Sequence, residues 1–309
     1  MHQMKRYLPL VAIAALCAPL PLLAQETKTH PAPSEIVATA KANAWVAIKS
    51  SDLMIMDLTP DSKGKPRRVV IQLIPEPFSQ GWVGNIRKLA TAHWWDSTSI
   101  NRVQDNYVVQ WGDATEKKAL PEGLAVVPES DYVTPDWPSK DWIFAQADGR
   151  PDAYAGAHGF YVGWPLAQGR KGLWPIHCYG MVGVGRNLSP DTGSGAELYT
   201  VIGHAPRHLD RNIALVGRVI EGIEHLSSLP RGTGALGFYE KEEERVPILS
   251  VRLGNEAKDV PAFEYLDTES ESFSAYADAR ANRRDPFFNI PAGGADICNI
   301  PVPIRRKAK

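Results

Sequence analysis

Between residues 52 and 254 the apolar residues fall into short runs parted by Gly, Pro, Asp and Ser, and only two stretches among them carry helical spacing. The runs are "DLMIMDLT" (52–59), "RRVVIQLIP" (67–75), Val103 to Gln110, "HCYGMVGVG", "ELYTVIG", the start of "IALVGRVIEGIEHLSSL", and "VPILSVRLG" (246–254). Each is too short to bury a core alone. Many short strands with turn residues between them form a mainly β chain, and the arrangement that leaves no open edge is a closed antiparallel barrel.

The turn-rich "PDSKGKP" joins the first two runs as a hairpin. "SQGWVGNIRKLATAHWWD" sets Trp82, Ile86, Leu89 and Ala90 at helical spacing and supplies a helix to close one end of the sheet, and a second helix starts near Glu221. Upstream, "SEIVATAKANAWVAI" reads helical, with Ser34 as cap and Ile36, Ala40, Trp45 and Ile48 on one face. Residues 114–176 are rich in Pro, Gly, Trp and Asp without sustained periodicity, the character of a long decorated insertion. Its tryptophans, Trp137, Trp142, Trp164 and Trp174, suit packing against a barrel or an aromatic binding surface. Beyond residue 254, "ESESFSAYADARANRRD" reads as a surface helix ahead of a proline-punctuated tail. No internal repeat, coiled coil or low-complexity block is present.

At the N-terminus Lys5 and Arg6, an apolar stretch from Leu8 to Leu23, and Ala24 before Gln25 have the layout of a secretory signal peptide over 1–24. Pro19 and Pro21 break the stretch, which is shorter than the roughly 20 residues of a membrane span. Leu16 precedes Cys17 where a lipid anchor needs a small residue. The expected product is periplasmic or secreted, with no stable membrane anchor after cleavage. Loss of Lys5 and Arg6 takes the formal charge from −1 to −3, so the overall balance attracts neither nucleic acid nor anionic lipid. Cys178 and Cys298 then remain, free or joined by a disulfide. His204 and His208 are four apart, but Pro206 stands between them and prevents the helix that would bring both rings to one metal, so no metal and no cofactor is expected.

Three segments in order, "RRVVIQLIPEPFSQGWVGNIRKLA", "SINRVQDNYVVQWGD" and "HLDRNIALVGRVIEGIE", resemble the strand-helix unit, the arginine segment and the late strand-helix segment of cyclophilin-type peptidyl-prolyl cis-trans isomerases. The resemblance spans about 52–254, interrupted by the insertion at about 114–176. It leaves a lead-in and helix at 25–51 and a C-terminal extension at 255–309 outside. It implies an eight-stranded antiparallel barrel capped by two helices, and isomerisation of X-Pro bonds in exported proteins, with proline-containing polypeptides as substrates.

On that resemblance Arg102 matches the catalytic arginine and Gln110 the glutamine that orients it. Tyr107, Val108, Tyr199 and Leu209 match the apolar hollow that takes the proline ring. Gly183, Glu197 and His208 stand at further substrate-binding positions, where the family has Asn, Gln, and Trp or His. Ile213 replaces a binding-site histidine. A non-catalytic peptide-binding or chaperone module on the same barrel is the alternative, favoured by Ile213 and Glu197 and opposed by Arg102 and Gln110. "DTGSG" at 191–195 begins like an aspartic-protease motif. It follows "RNLSP" rather than an apolar strand, has no second copy, and reads as a polar turn. No Gly-x-Ser-x-Gly elbow of a serine hydrolase occurs. Client proteins and oligomeric state leave no mark in the sequence.

Overall fold

The computed structural model describes residues 30–135 and 152–307. The expected signal peptide, Trp137 and Trp142 lie outside the described residues. In chain order the elements are α1 (Pro33–Thr39), β1 (Trp45–Ile48), β2 (Leu53–Leu58), β3 (Arg67–Leu73), α2 (Gln80–Thr91), β4 (Ser99–Val103) and β5 (Val108–Gly112). The insertion contributes β6 (Ala157–Tyr161), β7 (Trp164–Gly169) and β8 (Gly172–Pro175). There follow β9 (Met181–Val184), β10 (Leu198–Val201), β11 (Leu215–Glu221), α3 (Glu224–Ser227), β12 (Val246–Leu253), β13 (Phe263–Leu266), α4 (Glu271–Ala281) and β14 (Ile304–Arg306).

Eight strands close into an antiparallel barrel in the order β10-β5-β4-β12-β2-β3-β11-β9. Alternation decides which side chains fill it. Met54, Met56 and Leu58 of β2 and Val69, Ile71 and Leu73 of β3 point into the main core, where Trp82, Ile86 and Leu89 of α2 join them. The residues between, Leu53, Ile55 and Val70, face outward. They are also buried, in a second cluster with Ile48, Phe263 and Tyr265. Strands covered on both faces read as unbroken apolar runs, which is why "LMIMDL" shows no alternation.

The outer cover comes from the two ends of the chain. β13 pairs with β1 on one side and β14 on the other, making a three-stranded sheet. The sequence reading of one helix through Ile48 is therefore corrected. α1 stops at Thr39, and Trp45–Ile48 is a strand because pairing with Phe263–Leu266 outweighs its local helical spacing. The cap is also displaced: Pro33 opens the helix and the Glu35 carboxylate accepts the Ala32 N–H at 2.7 Å. α4 is no surface helix, since it buries Phe273, Tyr276 and Ala277 and packs on α1. The second barrel helix is the single turn α3, the preceding strand running on through Glu221.

The insertion is more regular than its composition suggests. β6, β7 and β8 form an antiparallel sheet with tight turns, its Phe160 ring edge-on to Phe273 of α4 at 5.0 Å. Trp164 and Trp174 are buried, as core packing requires. Arg218 of β11 is buried too: it lies over Trp164 at 4.3 Å and donates to Gly163 O at 2.6 Å and to Gln72 Oε1. Burial holds its pKa down to about 9. A disulfide joins Cys178, just ahead of β9, to Cys298 in the C-terminal extension. Among the described residues no helix is long and apolar enough to cross a membrane, and no group of three or more His, Cys, Asp or Glu is arranged to hold a metal.

Candidate active site

The site lies on the outer face of β4, β5 and β10, and a bulge puts it there. Ile100 pairs with Trp111 and Arg102 with Gln110, so Asn101 is an extra residue in β4. Two residues apart on a regular strand would share a face. The extra residue reverses that: Ile100 stays in the core and Arg102 turns outward. The reading of Val103 to Gln110 as one strand is corrected accordingly, because Gln104–Tyr107 is a turn with Asn106 at φ 50°.

Arg102, Gln110 and Tyr199 are in register across three neighbouring strands. The Arg102 guanidinium donates from Nε to Leu236 O at 2.7 Å, from Nη1 to Gln110 Oε1 at 3.1 Å, and from Nη2 to Gln104 Oε1. These engage three of its five N–H donors, and no described residue takes the other two. Its Cζ stands 5.8 Å from the Tyr107 ring and 5.3 Å from the Phe238 ring. Burial pulls its pKa below the ordinary arginine value, but a guanidinium starts so high that it stays charged.

Beside it Val108, Tyr199 and Val201 form a small buried cluster, with Tyr107, Leu209 and Ile213 packed against it and partly exposed. Four of the residues expected at the proline hollow, Tyr107, Val108, Tyr199 and Leu209, are thus brought together. Ile213, standing in place of a histidine, extends the same apolar wall. The His208 ring is nearly parallel to Tyr107, their centroids 6.2 Å apart. Gly183 lies in the barrel wall opposite Tyr199, where a Cβ would come within 2.3 Å of the Tyr199 hydroxyl oxygen. Its visible contribution is the space that seats that ring. Burial raises the Tyr199 pKa well above the ordinary value, so the phenol is neutral.

Glu197 sits behind Gln110 rather than in the hollow. It accepts the Asp113 N–H at 2.7 Å, and its carboxylate is also hydrogen-bonded by the side chains of Asn101 and Gln110. Burial raises its pKa to about 6 against the lowering effect of those bonds. Gln110 therefore links the carboxylate on one side to Arg102 on the other.

The turn carrying His208 and Leu209 is held from below. Asp210 accepts from His177 N–H and from Arg207 Nε, lies 3.0 Å from His177 Nδ1, and Arg207 Nη2 donates to Asp152 of the insertion. Desolvation pushes the Asp210 pKa up, but the bonds and charges of His177 and Arg207 outweigh it and hold it below the ordinary value. The His177 ring stacks on Tyr199 at 6.4 Å. Asp191 of "DTGSG" accepts the Asn187 and Gly193 N–H groups and closes an exposed turn. Gln104, Leu236 and Phe238, all touching Arg102, were not singled out from sequence. The glycine-rich "RGTGALGF" stretch was the available sign of a tight loop there.

A family model described as cyclophilin type peptidyl-prolyl cis-trans isomerase/CLD matches residues 56–253. Among solved structures the chain is similar to the cyclophilin AquaCyp293 from Hirschia baltica, with 22% identity and a TM-score of 0.66, covering 86% of this chain and 95% of that one. A Cryptosporidium parvum cyclophilin-type isomerase, crystallised in the presence of the dipeptide Ala-Pro, matches with 11% identity and a TM-score of 0.38, covering 65% of this chain and 98% of that one. No curated protein is close enough in sequence to count as a match.

Proposed function

The chain belongs to the cyclophilin-type peptidyl-prolyl cis-trans isomerase family, and on that premise we propose that it isomerises X-Pro bonds of exported polypeptides by non-covalent stabilisation of the twisted amide at Arg102. The observation that carries this is a charged guanidinium with two uncommitted donors at the edge of an apolar hollow.

An X-Pro bond turns over in tens to hundreds of seconds, because its resonance resists rotation by about 18–20 kcal/mol. In the twisted state the prolyl nitrogen regains a lone pair that neither planar isomer offers. A donor aimed at that nitrogen therefore binds the transition state and not the ground states, the condition for faster turnover. Tyr107, Val108, Tyr199 and Leu209 hold the ring, Arg102 donates, and Gln110 fixes the plane of the guanidinium. A hydrogen bond from a charged group, worth about 1.5–3 kcal/mol, corresponds to roughly 10- to 150-fold in rate.

Action in the periplasm or medium is part of the proposal. It is supported by the Cys178–Cys298 disulfide, which persists in an oxidising compartment. The test is relaxation of a short X-Pro peptide from cis to trans. The protein is expected to accelerate it at catalytic concentration. Peptide binding without acceleration would identify a binding module instead.

A further inference from the structure

We infer that residues 230–240 build a second subsite, across Arg102 from the proline hollow, that takes an apolar side chain of the same substrate; this rests on the isomerase reading above. The segment is a compact loop fastened to the bulged strand. Gly232 N–H donates to Val103 O at 2.9 Å, Tyr239 N–H to Asn101 O at 3.0 Å, and the Tyr239 hydroxyl to Pro230 O at 2.6 Å. Its glycines are required by close approach. A Cβ at Gly232 would lie 2.0 Å from Gly237 O, and Gly237 itself has φ 81° with its Cβ position 2.7 Å from the Gln104 Cα.

Leu236 occupies the left-handed region, φ 56°, which costs a leucine energy and persists only where the surroundings impose it. Two results follow from that conformation. Its carbonyl reaches Arg102 Nε, and its side chain stays 67% exposed at the tip. Phe238, 38% exposed, has its ring 5.3 Å from the guanidinium carbon and its backbone bridged to Arg102 on the edge of β4 opposite to β5. A single exposed leucine needs no explanation. Here the exposed leucine shares a short loop with Phe238, and that loop is tied to the Arg102 guanidinium by the Leu236 carbonyl and by the Phe238 ring.

The substrate's own chain is the occupant, because the subsite is continuous with the hollow. The Tyr107 and Phe238 rings lie 5.8 and 5.3 Å from the same Arg102 carbon, so their centres are separated by at most the sum. That distance is spanned by about three residues of extended peptide. The side chain received there is thus at most three positions from the proline. Neither Leu236 nor Phe238 can hydrogen-bond through its side chain, so the class selected is Leu, Ile, Met or Phe.

The test uses peptides with one X-Pro bond that differ only in Leu or Ser at one, two or three positions before or after the proline. The ratio of kcat/KM for each Leu–Ser pair is measured with wild type, Leu236→Ser and Phe238→Ala. Wild type is expected to favour Leu about five- to tenfold at one of these positions, the ratio set by partial burial of a leucine side chain. Either substitution should bring that ratio toward one. Equal turnover of all peptides by wild type, or variants that keep the preference, would overturn the subsite and leave the isomerase reading standing. Acceleration of none would overturn both.

Discussion

Replacing Glu197 by Gln should stabilise the protein at neutral pH by about 2 kcal/mol and leave it unchanged in acid. The carboxyl is buried behind Gln110, and burial lifts its pKa from 4.5 to about 6. Each pKa step corresponds to 1.36 kcal/mol, so keeping this group ionised in the fold costs about 2 kcal/mol. The sign follows from where each state holds its proton. Below 4.5 the group is protonated folded and unfolded, and contributes nothing. Between 4.5 and 6 only the folded state retains the proton, so stability falls as pH rises. Above 6 the full cost is present. Glutamine removes the charge, and its Oε1 can still accept the Asp113 N–H. With the Asn101 amide turned over, its Oδ1, which has no partner among the described residues, becomes the acceptor for the new amide in place of the Asn101 N–H that the carboxylate accepted. Urea unfolding of both proteins at about pH 4.5, 6 and 8 reads the difference directly. It should grow from near zero to about 2 kcal/mol. A difference independent of pH, or one largest in acid, would refute the reasoning.

Gly183→Ala places a Cβ against the Tyr199 hydroxyl at 2.3 Å, and forcing that ring aside should cost about 1–3 kcal/mol in thermal unfolding while lowering kcat/KM. An unchanged Tm would mean that the ring is not wedged. Removing the disulfide with Cys178→Ser and Cys298→Ser frees a link between residues 120 apart. Unfolding free energy should fall by about 2–5 kcal/mol, and equal stability of wild type and double variant in urea would show that the C-terminal extension is held by its sheet alone.

Much of the barrel was legible because it is written in local pattern. β2, β3, β9, β10, β11 and β12 each coincide with a short apolar run ended by turn residues. The extra sheet was not legible. β1 and β13 come from opposite ends of the chain, and neither run indicates its partner. Pro165 and the glycines of their turns hide the insertion strands, and α4 reads as a surface helix because Ala275 and Ala279 on its outer side blur the stripe of Phe273, Tyr276, Ala277 and Ala281 that it buries.

At the site, resemblance brought Arg102, Tyr107, Val108, Gln110, Tyr199 and Leu209 together, and they are neighbours in space. What turns Arg102 outward is the bulge at Asn101, one residue that no periodicity reveals. The third donor contact of Arg102 comes from a backbone carbonyl at Leu236, and carbonyl direction carries no sequence mark.

The most direct test separates turnover from binding at Arg102. For one X-Pro peptide, kcat and Kd are measured with wild type, Arg102→Ala and Arg102→Lys. Loss of a donor used only in the twisted state predicts a fall in kcat of roughly 10- to 150-fold with Kd nearly unchanged, and lysine, lacking the planar fork, should not restore it. Wild-type turnover by Arg102→Ala, or a loss confined to Kd, would contradict the account.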